Sequence, residues 1–144
     1  MKIMMIMASG LTKYMLDFAS QHHIRVRGVH AEPSETGLVF LKNRKISVNY
    51  DMKKATEFNF VLGHEIGHIM NGDSDSGVAY YCGSPLTSEE RKADLYSLEL
   101  IYDYAASQFS TFNEPAVFME QYGIPYRMFD DTVKLYERRT DLLF

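Results

Sequence analysis

The stretch VLGHEIGHIMNGD, residues 61–73, constrains this chain more than any other. Its spacing predicts a helix from about Lys54 to Met70, ended by the NGD turn signal, where Asn71 or Gly72 takes the left-handed cap. On such a helix His64 and His68 lie about 40 degrees apart and one turn along the axis, so both can reach one ion. Glu65, about 60 degrees from His68, flanks the remaining open position, and Leu62, Ile66 and Ile69 form an apolar face on the other side. Gly63 and Gly67 each cost about 1 kcal/mol of helix stability relative to alanine. Their presence implies close approach by a neighbouring strand or helix. With five histidines and ten glutamates in 144 residues, independent placement gives His-Glu-x-x-His only at about the one-percent level, so a metal-binding role outweighs coincidence.

Two histidines do not complete a catalytic zinc site, which needs a third protein ligand and an open place for water. The segment LTSEERKADLYSLELI, residues 86–101, supplies candidates. Glu90 and Asp94, four apart, share a helix face with Ala93 and Ser97, small enough to let this helix approach the first. Glu90 is the expected ligand, and Asp94 is expected to accept the ring N–H of a liganding histidine and fix its tautomer. Thr87-x-x-Glu90 also reads as a capping box, in which Glu90 would instead bond the backbone N–H of Thr87. Glu89 is a weaker rival, since moving one residue from Glu90 turns it about 100 degrees off the face shared with Asp94.

The rest of the chain frames this pair. A length of 144 residues suits one domain over 1–144. The net charge of −4 gives no general basic footprint, so direct nucleic-acid binding is not expected. Cys82 is the sole cysteine, which excludes an internal disulfide and fits a reducing, cytoplasmic setting. Lys2 and the apolar run Ile3–Ala8 mimic a signal-peptide core, but Lys13 and Asp17 follow too soon for a membrane span. A helix is expected from Ser9 to about His23, then a strand in HIRVRGVH and a hairpin of Gly37–Leu41 with Lys45–Tyr50, joined by Lys42, Asn43 and Arg44. The sheet should be small and largely antiparallel. Asp73, Asp75 and Gly77 resemble part of a calcium loop, but Ser84 stands where its closing glutamate belongs, so calcium is rejected there. Helices are expected over Ser88–Ser107, 115–122 and 125–139. The segment FMEQYGIPYRMF could be a DNA-binding helix-turn-helix; its Phe118, Met119, Tyr122, Ile124 and Met128 favour a packing hairpin in which only Arg127 is basic. His22, His23 and His30 read as surface or ordinary packing residues.

His64-Glu65-Ile66-Gly67-His68, followed by Glu90-Arg91-Lys92-Ala93-Asp94-Leu95-Tyr96-Ser97, resembles the ImmA/IrrE metallopeptidases, whose downstream segment reads Glu-x-x-Ala-Asn-x-Phe-Ala. The likeness extends upstream to GLVFLKNRKISVNYDM and downstream to FMEQYGIPYRMF, covering roughly residues 37–130. Asp94 replaces the usual asparagine, Tyr96-Ser97 replaces Phe-Ala, and IYDYAAS stands where Leu-Met-Pro is common. The resemblance implies an α+β, gluzincin-like minimal zincin fold: a small antiparallel sheet packed on the metal helix and further helices. It also implies a phage or mobile-element setting and a protein substrate, a helix-turn-helix repressor. The expected chemistry is zinc-dependent peptide hydrolysis, with Zn2+ on His64, His68 and Glu90 and with Glu65 as general base. Manganese, cobalt or iron would also suit these donors. Substrate could pair with an exposed strand of the hairpin, and Tyr80 or Tyr81 could supply a phenol to the oxyanion. The competing reading is a zinc-stabilised module that binds a transcription regulator without cutting it. Glu65 speaks against that, since a structural site has no use for a carboxylate beside an open position.

Overall fold

The computed structural model describes residues 10–72, 87–109 and 112–143. The segment holding Asp73, Asp75, Gly77, Tyr80, Tyr81, Cys82 and Ser84, like the run Ile3–Ala8, lies outside the described residues.

Helix α1, Gly10–Gln21, buries Leu11, Met15 and Ala19 along one stripe, as apolar residues three and four apart require. It ends where His23 takes a left-handed conformation at φ 58° and Ile24 N–H reaches back to the Ala19 carbonyl at 2.8 Å. That is the six-to-one bond of a Schellman cap, so His23 acts through its backbone. Strands β1 (Arg25–Val29), β2 (Gly37–Phe40) and β3 (Lys45–Asn49) form one sheet in the order β1-β3-β2. The β2–β3 hairpin is antiparallel, pairing Gly37 with Val48 and Phe40 with Lys45. Alternation puts Val39, Ile46 and Val48 on the buried face.

The fold is α+β as expected, but the sheet is mixed: β1 lies parallel to β3, with Arg25 opposite Lys45 and Val29 opposite Asn49. Parallel neighbours need a long connection, and here it contains β2 itself. Buried Asn49 fixes the path. Its Oδ1 accepts from the N–H groups of Ala31 (3.0 Å) and Asp51 (2.9 Å), and its Nδ2 donates to the carbonyls of Glu32 (2.8 Å) and Glu35 (2.7 Å). The loop from His30 to Thr36 is thereby folded across the end of β3 and delivers Gly37 to the sheet's far edge.

A 3-10 turn, Ala55–Glu57, leads into α2, Phe58–Met70. The expected helix therefore starts its α-helical part a turn later than Lys54. Gly72, at φ 70°, supplies the left-handed residue after it. α3, Ser88–Ser107, has its expected bounds, and the Thr87 hydroxyl caps it by accepting from the Glu90 N–H. α4 (Pro115–Tyr122), a 3-10 turn (Tyr126–Met128) and α5 (Phe129–Leu143) follow. Phe118, Met119, Ile124 and Met128 are buried, so this segment packs as a hairpin. Arg91 on α3 grips Asp131 on α5 through both terminal guanidinium nitrogens, Nη1 and Nη2.

α2 is the hub, touching α1, α3, β2 and β3. Its whole length from Phe60 to Ile69 is buried. The polar face that carries His64, Glu65 and His68 is covered as fully as the apolar face formed by Leu62, Ile66 and Ile69.

Candidate metal centre

The two glycines of α2 set its distance from α3. A Cβ at Gly63 would lie 2.3 Å from Ser97 Oγ and 3.0 Å from Ser97 Cβ; one at Gly67 would lie 2.9 Å from Tyr96 Cβ and 3.0 Å from the Ala93 carbonyl oxygen. No side chain fits between such backbones. Ser97 Oγ donates to the Phe60 carbonyl at 2.7 Å, so this hydroxyl fastens the contact. Close approach brings the facing side chains together.

His64 Nε2 and His68 Nε2 lie 3.2 Å apart. Glu90 Oε2 is 2.7 Å from His64 Nε2, and Glu90 Oε1 is 3.1 Å from His68 Nε2. His64, His68 and Glu90 offer ligand atoms all within 4.8 Å of one another, and all three residues are buried. The capping box is thus only half formed: Thr87 caps the backbone of Glu90 while the carboxylate turns to the histidines. Glu89 is half-buried and is not one of the clustered donors. Asp94 Oδ1 is 2.8 Å from His64 Nδ1, which assigns the N–H to Nδ1 and points Nε2 at His68 and Glu90.

Sequence reasoning did not place Arg127 here. From the 3-10 turn after α4, its guanidinium donates to both carboxylate oxygens of Asp94, through Nη1 to Oδ2 and through Nη2 to Oδ1 at 3.3 Å. It also lies over the Phe60 ring, 5.5 Å from the centroid. An ordered chain therefore runs Arg127–Asp94–His64. The only sequence signal was a lone arginine in an otherwise apolar packing segment. His22 and His30 stay away from the centre: His22 packs against Phe18 with the rings tilted, and His30 bonds Asp51 at 2.9 Å.

The electrostatics mark the same cluster. Burial pushes Glu65 up to about 7 against the opposing pull of the two imidazoles. Burial also works against charge on Glu90, but its bonds to His64 and His68 prevail and hold it down to about 2. For His64, burial favours the neutral ring, yet Asp94 and Glu90 outweigh it and raise the group to about 9. Asp94 is likewise lowered, with His64 and Arg127 overcoming burial.

Whether a cation suits these donors can be judged from the geometry. A tetrahedral zinc with Zn–N bonds of about 2.0–2.1 Å holds neighbouring ligand nitrogens roughly 3.3 Å apart; the two Nε2 atoms are 3.2 Å apart. Two ring acceptors that close, without a proton or cation between them, would repel. Both Glu65 oxygens are buried without a hydrogen-bond partner among the described residues, a costly state unless water or a charged group completes them. The donor set fits a divalent ion, three protein ligands leaving a fourth coordination place for another ligand.

Residues 36–88 match the family model of peptidase family M48. The matched stretch runs from β2 through both histidines and stops just short of Glu90. It supports a metallopeptidase family and does not single out the ImmA/IrrE type. No curated protein and no solved structure matches the chain. Among the described residues, no helix is long and apolar enough to cross a membrane.

Proposed function

We propose that this protein is a zinc metallopeptidase acting on a protein substrate. The carrying observation is the meeting of His64, His68 and Glu90 beside a buried Glu65 whose oxygens have no hydrogen-bond partner among the described residues. In this reading His64, His68 and Glu90 hold Zn2+, Asp94 orients His64, and Arg127 positions Asp94. When bound, zinc supplies Lewis acidity and lowers the pKa of water. Glu65, raised to about 7 by burial, is matched to accept a proton near neutral pH and return it to the leaving amine.

The sheet offers a place for an extended peptide. Among the described residues β2 is an edge strand, and a Cβ on its Gly37 would lie 3.4 Å from Glu65 Cγ. A peptide added beside β2 would pass the general base with its backbone paired. A helix-turn-helix repressor of a phage or mobile element, cut in the cytoplasm, is the substrate we infer from the likeness to ImmA/IrrE enzymes.

A second reading also has an observation behind it. His64, Glu65 and His68 are 1% exposed or less, as in a purely structural zinc site of an interaction module; hydrolysis requires that cover to open for the peptide. The substitution Glu65→Gln separates the two. Peptidase action requires loss of cleavage at unchanged zinc content, measured with a candidate repressor or an unfolded protein substrate. Full biological effect of the Glu65→Gln variant at normal zinc content would overturn the peptidase reading.

A further inference from the structure

We infer that the outer face of the sheet is a docking site for an acidic, extended segment of the protein substrate. The inference deepens the peptidase reading and rests on it for the identity of the partner as substrate. Strand alternation turns Arg25 and Arg27 of β1, Lys45 and Ser47 of β3, and Leu38 and Phe40 of β2 away from the core. The register makes two rungs of them: Arg25 opposite Lys45, which is opposite Phe40, and Arg27 opposite Ser47, which is opposite Leu38. Of these, all but Leu38 line a groove of about 650 Å³ together with Asn43.

The charges of this face are unlike those of the rest of the chain. Residues 21–50 hold five of the 15 lysines and arginines but only two of the 19 acidic residues, Glu32 and Glu35. Elsewhere arginines are engaged: Arg91 with Asp131, Arg127 with Asp94, Arg138 with Glu99, and Arg139 with Asp103. Arg44 donates to the His22 carbonyl at 2.7 Å. Arg25, Arg27 and Lys45 have no acidic partner among the described residues. Like charges directly opposite on a sheet, as at Arg25 and Lys45, destabilise it. An anion between them removes that penalty.

The geometry also specifies the anion. Arg25 and Arg27 are two residues apart on one face, roughly 6.6 Å along the strand. An extended peptide with carboxylates at alternate residues repeats at the same interval, and a guanidinium takes a carboxylate through two parallel bonds. Phe40, 44% exposed at the groove's edge, gives an apolar neighbour to such a segment. A nucleic-acid duplex is a poorer occupant, because its phosphates extend past the patch and meet the acidic remainder of a chain of net charge −4. The groove borders β2, whose other end reaches Glu65, so one polypeptide can dock on this face and thread toward the centre.

The test is fluorescence anisotropy of a labelled peptide with glutamate at alternate positions separated by valine, titrated with the full chain at low salt. The controls are a lysine-for-glutamate peptide and a short DNA duplex. Wild type should bind the acidic peptide, weaken as salt rises, and ignore the lysine peptide. R25E/R27E/K45E should lose binding roughly tenfold or more; the milder R25Q/R27Q/K45Q should fall between, guarding against misfolding of the reversed variant. Glu65→Gln should bind like wild type. If the peptidase reading fails and nothing is cleaved, docking is still read by anisotropy. If cleavage occurs, joining the acidic segment to a cleavable peptide should lower KM in wild type and not in R25Q/R27Q/K45Q. Absence of binding at low salt, equal binding by wild type and both triple variants, or tighter binding of the duplex than of the peptide would overturn the inference.

Discussion

Replacing Gly67 by alanine tests whether helix contact builds the proposed metal centre. The new Cβ would meet Tyr96 Cβ at 2.9 Å, the Ala93 carbonyl oxygen at 3.0 Å and Ala93 Cα at 3.1 Å. Comfortable carbon contacts begin at about 3.5 Å, and all three atoms are backbone or fixed by it. No rotamer relieves the clash, so α3 must retreat by roughly 0.5 Å. Overpacking against three such fixed atoms falls in the upper half of the usual range, about 2–3 kcal/mol; the gain in helix propensity returns about 1 kcal/mol. A net loss of about 1–2 kcal/mol corresponds to roughly 3–8 °C in Tm, read by thermal melting of metal-free protein. The retreat also carries Glu90 and Asp94 away from His64 and His68, so zinc affinity by chelator competition should fall roughly 10-fold or more. Gly72→Ala is the control. Gly72 has φ +70° and nothing near its would-be Cβ, so alanine there costs about 1–2 kcal/mol of backbone strain without separating the helices. If Gly67→Ala were as stable as wild type, or weakened zinc no more than Gly72→Ala does, the contact would not be what holds the donors together.

Three further outcomes are expected. Arg127→Met removes the bidentate partner of a carboxylate that is 1% exposed; zinc affinity should drop roughly 10–100-fold with a smaller effect on melting, and Arg127→Lys should recover only part of it. Asn49→Asp turns the two amide donations to Glu32 and Glu35 into facing acceptors around a buried charge, so metal-free protein should lose about 3 kcal/mol or more in urea unfolding. In metal-free protein, His64 rises from 6.5 to about 9 and Glu65 from 4.5 to about 7. Both raised groups favour folding at low pH, and that contribution fades as pH rises through 7 and 9. Glu90, lowered to about 2, contributes above pH 4.5 and is lost only in acid. Zinc instead requires His64 without its Nε2 proton, so zinc uptake near neutral pH should release protons, and the Tm gap between loaded and metal-free protein should widen from pH 6 to pH 9.

What could be read in the sequence was what local spacing dictates. The four-residue intervals of His64–His68 and Glu90–Asp94, the glycines Gly63 and Gly67 and the small Ala93 and Ser97 already described two helices made to touch. The bounds of α3 followed from Thr87 and a long periodic run. What could not be read depends on distant contacts. The direction of β1 is decided by the Asn49 side chain, which folds a loop 14 to 18 residues earlier. Arg127 reaches Asp94 across 33 residues of chain, and an arginine among packing residues does not announce its partner. The burial of Glu65 likewise depends on α2 being enclosed by helices and sheet together.

Metal content per chain, on protein purified without added metal, tests the zinc centre most directly when wild type is set beside Glu90→Ala and Thr87→Ala. About one zinc in wild type and in Thr87→Ala, with loss in Glu90→Ala, is expected if the carboxylate ligates and the hydroxyl only caps the helix. Full zinc in Glu90→Ala, or none in wild type even after zinc is supplied, would contradict it.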